Sequence, residues 1–311
     1  MQTTYTGRAH GKLLLTAEYL VLDNTPAIAL PTKYGQSMEV SSFPSDHKKV
    51  ICTSLDKNNE PWFEGEFDME GMRVMSSTDD GIADRFLSLL QFIHAKNPAL
   101  LEEAGGIQIE NKIDFDRQWG LGTSSTLIHN LATWSGVDAY ALLEHSFGGS
   151  GYDLACAAAD SPILYRRNSS APRFVSVPFQ PDFAEQIYFV YLGKKQNSRE
   201  GIQNYRALSL DDKLPHAIAE VKELNENILS AKSLSDFEES LEEHEEIITN
   251  LIGMPKVKDL YFSDHAGVAK SLGAWGGDFV LLTHQGSFES LKTYCQLKGF
   301  DIVIPYQEMI L

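Results

Sequence analysis

Apolar positions recur along this chain with two periods, and the switches between them outline its architecture. Residues 12–16 and 27–30 form short apolar runs that predict strands, the second following the turn-like Asp23-Asn24-Thr25-Pro26. Ile107, Ile109 and Ile113 partly alternate with polar residues, as in a half-buried strand. After Ser124 the period changes: Leu127, Ile128, Leu131 and Trp134 fall on one helical face. Residues 187–192 predict another strand, and two long helical patterns follow between about 211 and 251. The second opens with Ser235-Asp236-Phe237-Glu238, read as a capping box, and carries Phe237, Leu241, Ile247, Ile248 and Leu251 as its apolar face. A glycine-rich turn then leads to a strand at 279–282, a helix at 287–297 and a last strand at 301–305. Strands interleave with helices in both halves, which predicts an α+β protein of two domains. The polar stretch Arg166-Arg167-Asn168-Ser169-Ser170-Ala171-Pro172 is the best turn near their boundary, so the expected division is 1–180 and 181–311.

Composition narrows the class. The chain has 311 residues, 43% of them apolar and 22% charged, as in ordinary globular proteins. Its apolar runs fall far short of the roughly 20 residues that cross a bilayer, and the first residues lack the pattern of a secretory signal. Cys52, Cys156 and Cys295 are scattered and odd in number, with neither metal spacing nor a disulfide framework, so a reducing cytoplasm is expected. The net charge of −17 argues against nucleic acid, which needs clustered Lys and Arg. An anionic small ligand is still compatible if backbone amides and a few placed cations bind it. The glutamates Glu239, Glu242, Glu243, Glu245 and Glu246 of the capped helix are expected on a solvated surface.

Glycine loops carry the candidate chemistry. In Trp119-Gly120-Leu121-Gly122-Thr123-Ser124-Ser125, between a strand and a helix, glycines let the backbone approach a ligand while the helix start offers N–H groups and a partial positive charge. A plain strand-to-helix turn capped by Ser or Thr is the competing reading. It is not a Walker A loop; the near match Gly7-Arg8-Ala9-His10-Gly11-Lys12-Leu13 has one spacer residue too few and lacks the following hydroxyl. A second loop, Gly148-Gly149-Ser150-Gly151, feeds a small-residue helix with Asp153 in its first turn, either a dipole partner or a reactive carboxylate. A third, Gly273-Ala274-Trp275-Gly276-Gly277-Asp278, is also readable as a glycine hairpin.

Taken in order, Gly11-Lys12-Leu13-Leu14-Leu15-Thr16-Ala17-Glu18-Tyr19, the loop at Gly120, and the loop at Gly273 resemble the three motifs of the GHMP kinases (galactokinase, homoserine kinase, mevalonate kinase and phosphomevalonate kinase). The Gly-Gly-Asp of the third favours the phosphomevalonate kinase version, and Gly151-Tyr152-Asp153 is similar to a subgroup with a Gly-Tyr-Asp signature. The resemblance spans nearly the whole chain. It implies an N-terminal ATP-binding domain like the second domain of ribosomal protein S5, a ferredoxin-like C-terminal domain, and an active site between them.

It further implies an ATP- and Mg²⁺-dependent phosphotransferase of the mevalonate route to isoprenoids, acting on phosphomevalonate or mevalonate. On this register Gly120, Leu121, Gly122, Thr123, Ser124 and Ser125 bind ATP, and Ser124 also contacts Mg²⁺, with Glu144 the second metal ligand. Asp153 is the catalytic aspartate, paired with Lys12. Glu18 either touches substrate or orients Lys12. Arg199 and the loop residues Gly273, Ala274, Gly276, Gly277 and Asp278 face substrate or phosphate. Three positions depart from the family pattern: His10 stands for proline, Thr126 for alanine and Trp275 for glycine, the last expected to stiffen the loop or narrow the site. The alternatives are a kinase for homoserine or a sugar, a diphosphomevalonate decarboxylase, and a non-catalytic ligand-binding relative. The expected partner is a small molecule rather than nucleic acid or membrane, with a homodimer left open.

Overall fold

The computed structural model describes residues 2–102, 105–168, 172–194, 197–210 and 213–311. Residues 169–171 of the predicted boundary turn, and the start of the helical pattern at 211, lie outside them. The chain divides into two compact units, one of Met1–Gly11, Tyr34–Arg117 and Leu121–Ala158, the other of Lys12–Lys33, Gln118–Gly120 and Ala159–Leu311.

The first unit takes its sheet from the early part of β1 (Gln2–Leu14), the later part of β2 (Ala27–Phe43), β3 (Lys49–Leu55), β4 (Pro61–Asp68), β5 (Arg73–Ser77) and β6 (Gly106–Ile113). The order is β5-β4-β3-β6-β2, with β1 also on β2, and only the β3–β6 pair is parallel among the described pairings of this unit. Its helices are α1 (Asp80–Lys96), α2 (Pro98–Glu102), α3 (Thr123–Ser135), α4 (Ala139–Ser146) and α5 (Tyr152–Ala158). Alternation along β3 turns Val50 and Cys52 inward, where with Phe63, Phe67 and Ile109 they meet Phe86, Leu90 and Ile93 of α1 and Ile128 and Leu131 of α3. Asp79 and Asp138 cap α1 and α4 by accepting from the amides of Ile82 and Ala141.

In the second unit β7 (Ile163–Arg166) pairs with the start of β2 and with β8 (Arg173–Ser176). A separate antiparallel sheet has the order β10-β11-β9-β12, from β9 (Ile187–Tyr191), β10 (Ala269–Ser271), β11 (Phe279–Thr283) and β12 (Val303–Pro305). Between β9 and β10 run α6 (Ser198–Arg206), α7 (Lys213–Ser230), α8 (Leu234–Ile252) and α9 (Val257–Tyr261); α10 (Phe288–Leu297) joins β11 to β12, and α11 (Tyr306–Met309) follows. The chain order β-α-β-β-α-β with this strand order is the ferredoxin-like arrangement.

Several sequence expectations need correction. The strand expected at 12–16 is the end of a longer one that stops at Leu14, so Lys12 sits near its exit rather than its start. The cap of α8 is Ser233, accepting from the amide of Asp236, two residues before the Ser235 box. Glu245 is not on the solvated face: it is 2% exposed, because it lies four residues after buried Leu241 and three before buried Ile248. Arg199 lies in the first turn of α6. The final strand is shorter than 301–305 and gives way to α11.

Candidate active site

The second unit draws residues of all three glycine motifs to one point. Lys12, leaving β1, donates from Nζ to the carbonyl of Gly120 at 2.6 Å. Gly120 has φ +65, and a Cβ there would lie 2.2 Å from Oδ2 of Asp278, so the third-loop carboxylate packs directly on a position only glycine can occupy. Asp278, itself at φ +53, is fixed through its backbone: its amide donates to the Lys194 carbonyl and its carbonyl accepts from the amide of Leu192. Trp119 closes the other side, edge-on to Phe279 at 5.5 Å, while Tyr191 donates to the carbonyl of Gln118.

The third loop is held again one step back. Tyr19 donates to the carbonyl of Ala274 at 2.8 Å and stacks on Tyr205 of α6, the helix that carries Arg199, whose amide donates to the Asn197 cap. Trp275 adopts φ +54, the left-handed region that glycine takes at no steric cost, and is 1% exposed. Gly273 and Gly276 take positive φ on either side.

Glu18 is explained by partners that sequence reasoning missed. It is 0% exposed, and its Oε1 accepts from Lys270 Nζ at 2.5 Å. Lys270 also donates to Oε1 of Glu245 at 3.2 Å, and Glu245 accepts from the amide and hydroxyl of Ser271. Burial outweighs Lys270 and pushes the Glu18 carboxyl up to about 7. His244, driven well below its usual range by burial, stays neutral and accepts from the amide of Ala17 at 2.9 Å.

The first unit carries the remaining candidates. The N-cap of α3 is Gly122, at φ +99, which has no side chain to satisfy the first-turn amides of Thr123, Ser124 and Ser125. The Ser or Thr cap of the competing reading is therefore absent. Ser125 is buried and its hydroxyl donates to the Gly122 carbonyl, whereas Ser124 is exposed. Thr126 is buried and donates to Gln36 Oε1 at 2.6 Å, pinning α3 to β2. Asp153 opens α5, which packs against α3, and its Oδ1 accepts from the amide of Leu154. Glu144 is exposed on α4. Among the described residues no three His, Cys, Asp or Glu side chains gather as a metal site, nor is any helix long and apolar enough to cross a membrane. Ser124 on α3 and Glu144 on α4 each offer an oxygen donor of the kind a hard cation such as Mg²⁺ takes.

This is the GHMP kinase fold in its mevalonate-kinase-like form. The mevalonate kinase of Methanococcus jannaschii matches over 96% of both chains with a TM-score of 0.71 and 15% identity. The phosphomevalonate kinase of Streptococcus pneumoniae, solved with phosphomevalonate and AMPPNP, matches 96% of this chain and 98% of its own, with a TM-score of 0.70 and 16% identity. The galactokinase of Lactococcus lactis, solved with galactose, covers 95% and 89% at a TM-score of 0.66 and 12% identity. No family model and no curated protein sequence matches the chain.

Proposed function

We propose that this protein is an ATP- and Mg²⁺-dependent kinase that transfers the γ-phosphoryl group of ATP to phosphomevalonate or mevalonate. The observation that carries the proposal is the meeting of Lys12, Gly120 and Asp278, one residue from each glycine motif, within a GHMP fold. Residues 1–180 act as the ATP-binding domain and 181–311 as the C-terminal domain. The amides of Gly120, Leu121, Gly122, Thr123, Ser124 and Ser125 bind the ATP phosphates, since Gly122 leaves the α3 start uncapped. Ser124 and Glu144 hold Mg²⁺, which when bound offsets charge on the phosphate oxygens. Asp153 accepts the proton of the acceptor hydroxyl, Lys12 steadies the reacting oxygens, and Arg199 with the 273–278 loop orients the acceptor. The protein works in the cytoplasm.

The test is ADP release with Mg²⁺-ATP against mevalonate, phosphomevalonate, diphosphomevalonate, homoserine and galactose. Stimulation by one of the first two supports the proposal; phosphate release with diphosphomevalonate, or stimulation by homoserine or galactose alone, replaces it with the corresponding activity. ATP binding without turnover on any acceptor points to a non-catalytic relative. Asp153→Asn is expected to lower kcat by about 100-fold or more while nucleotide affinity stays within about 2-fold. Undiminished turnover removes Asp153 as the base.

A further inference from the structure

Lys270 is a fully buried cation that the proposed reaction does not use. Its three N–H donors are all engaged, to Oε1 of Glu18 at 2.5 Å, Oε1 of Glu245 at 3.2 Å and the carbonyl of Ser271 at 2.7 Å. It stands in β10, immediately before the third glycine loop, and its main partner is 252 residues away in sequence, in the first motif. A buried ion pair is weak evidence of stabilisation, because apolar residues of similar volume often serve a core as well or better. What this pair touches is therefore more informative than its charge.

Glu18 lies between Ala17 at φ +60 and Tyr19 at φ +63, two non-glycine residues in a conformation that persists only when its surroundings impose it. The surroundings are explicit. The Ala17 amide is held by His244, the Glu18 carboxylate by Lys270, and the Tyr19 ring by Tyr205. From this turn the Tyr19 hydroxyl reaches Ala274, four residues beyond Lys270, so the contacts close a ring: Lys270 to Glu18, through the turn to Tyr19, across to Ala274, and back along the chain. Just beyond the point where that ring closes, the same loop holds its own left-handed residues, Trp275 and Asp278, and Asp278 lies against Gly120.

We propose that Lys270 is a positioning residue: by holding Glu18 it sets the left-handed turn at 17–19, and through Tyr19 it sets the 273–278 loop against Gly120. Its catalytic meaning rests on the kinase reading; its effect on the loop does not.

The test compares Glu18→Gln and the double variant Glu18→Met/Lys270→Met with the wild type. The double variant removes the unlike charges together, leaving Glu245 bound to Ser271. Amide exchange by mass spectrometry, the midpoint of thermal unfolding, and steady-state kinetics are read on the full chain. Both variants are expected to unfold in one cooperative transition, while in the native state exchange across 272–278 rises about 10-fold and that of β11 and α8 does not. With an accepted substrate, kcat is expected to fall by up to about 100-fold with the ATP KM within about 3-fold. The proposal is overturned if exchange across 272–278 is that of the wild type, or if it rises equally in β11 and α8, which marks the pair as core stability alone. Should the double variant not fold, Glu18→Gln decides by the same criterion. If the wild type turns over no acceptor, the kinase reading fails while the exchange data still judge the loop.

Discussion

Glu18 makes the charge state of the core measurable. Its carboxyl is pushed up from 4.5 to about 7, first by complete burial, with Lys270 pulling the other way and Glu245 adding to the rise. A carboxyl raised in the folded state binds its proton more tightly there than in the unfolded chain. Between about pH 4.5 and 7 the native state thus holds more protons, and stability falls as pH rises through that window. A shift of this size corresponds to about 3 kcal/mol over the full titration, of which about 2–3 falls between pH 5 and 8. His244 acts in the opposite sense: its lowered value stabilises the fold above about 6.5, a contribution lost as pH falls below it. The two partly cancel in the wild type, so the informative quantity is a difference. Glu18→Gln keeps the shape and removes the titration, while His244 remains in both proteins. Urea unfolding of the two in parallel at half-unit steps from pH 5 to 8 is expected to show the wild type losing about 2–3 kcal/mol relative to the variant as pH rises. A difference that stays constant over that range refutes the reasoning, because Glu18 would then titrate as it does in the unfolded chain.

Two further substitutions probe the point where the motifs meet. Gly120→Ala places a methyl group 2.2 Å from Asp278 at φ +65; affinity for a fluorescent ATP analogue is expected to fall by about 10-fold or more, and wild-type affinity would show that the close packing is dispensable. Trp275→Gly relieves the backbone at φ +54 but removes a fully buried indole; with burial worth about 3–5 kcal/mol and the left-handed conformation about 1–2, urea unfolding is expected to show a loss of about 1–4 kcal/mol. A stabilised variant reverses that balance.

What the sequence revealed and what it hid follow from the range of the interactions. Gly120 and Gly122 were visible because their positive φ, and at Gly120 the close approach of Asp278, require glycine, a local demand that shows as residue type. The helix after them and the apolar β11 were visible by period. The hairpins β3–β4 and β4–β5 drew no prediction; their registers come from pairing along whole strands and include irregularities at Ser54/Leu55 and Glu66/Phe67. Lys270 and Glu245 were hidden for a different reason. Their burial depends on a partner 252 residues away and on a helix face read as acidic. The spacing from Leu241 to Glu245 to Ile248 was the available signal, outweighed by the surrounding glutamates.

The same arrangement answers the question raised by a net charge of −17. Glu242, Glu243 and Glu246 of α8 are exposed, and Lys258 and Lys256 pair with the first and the last of them. Charges at such surfaces are largely screened beyond about 8 Å at physiological salt. The inward carboxylates are dealt with one by one: Glu18 and Glu245 share Lys270, and a value near 7 lets Glu18 carry a proton for part of the time at neutral pH. The acid nearest the glycine loop, Asp278, sits against Gly120, whose carbonyl accepts from Lys12. An anionic ligand at this loop therefore needs no basic surface. The α3 start, capped only by Gly122, carries the positive end of its helix dipole, a local potential set by backbone geometry rather than by net charge.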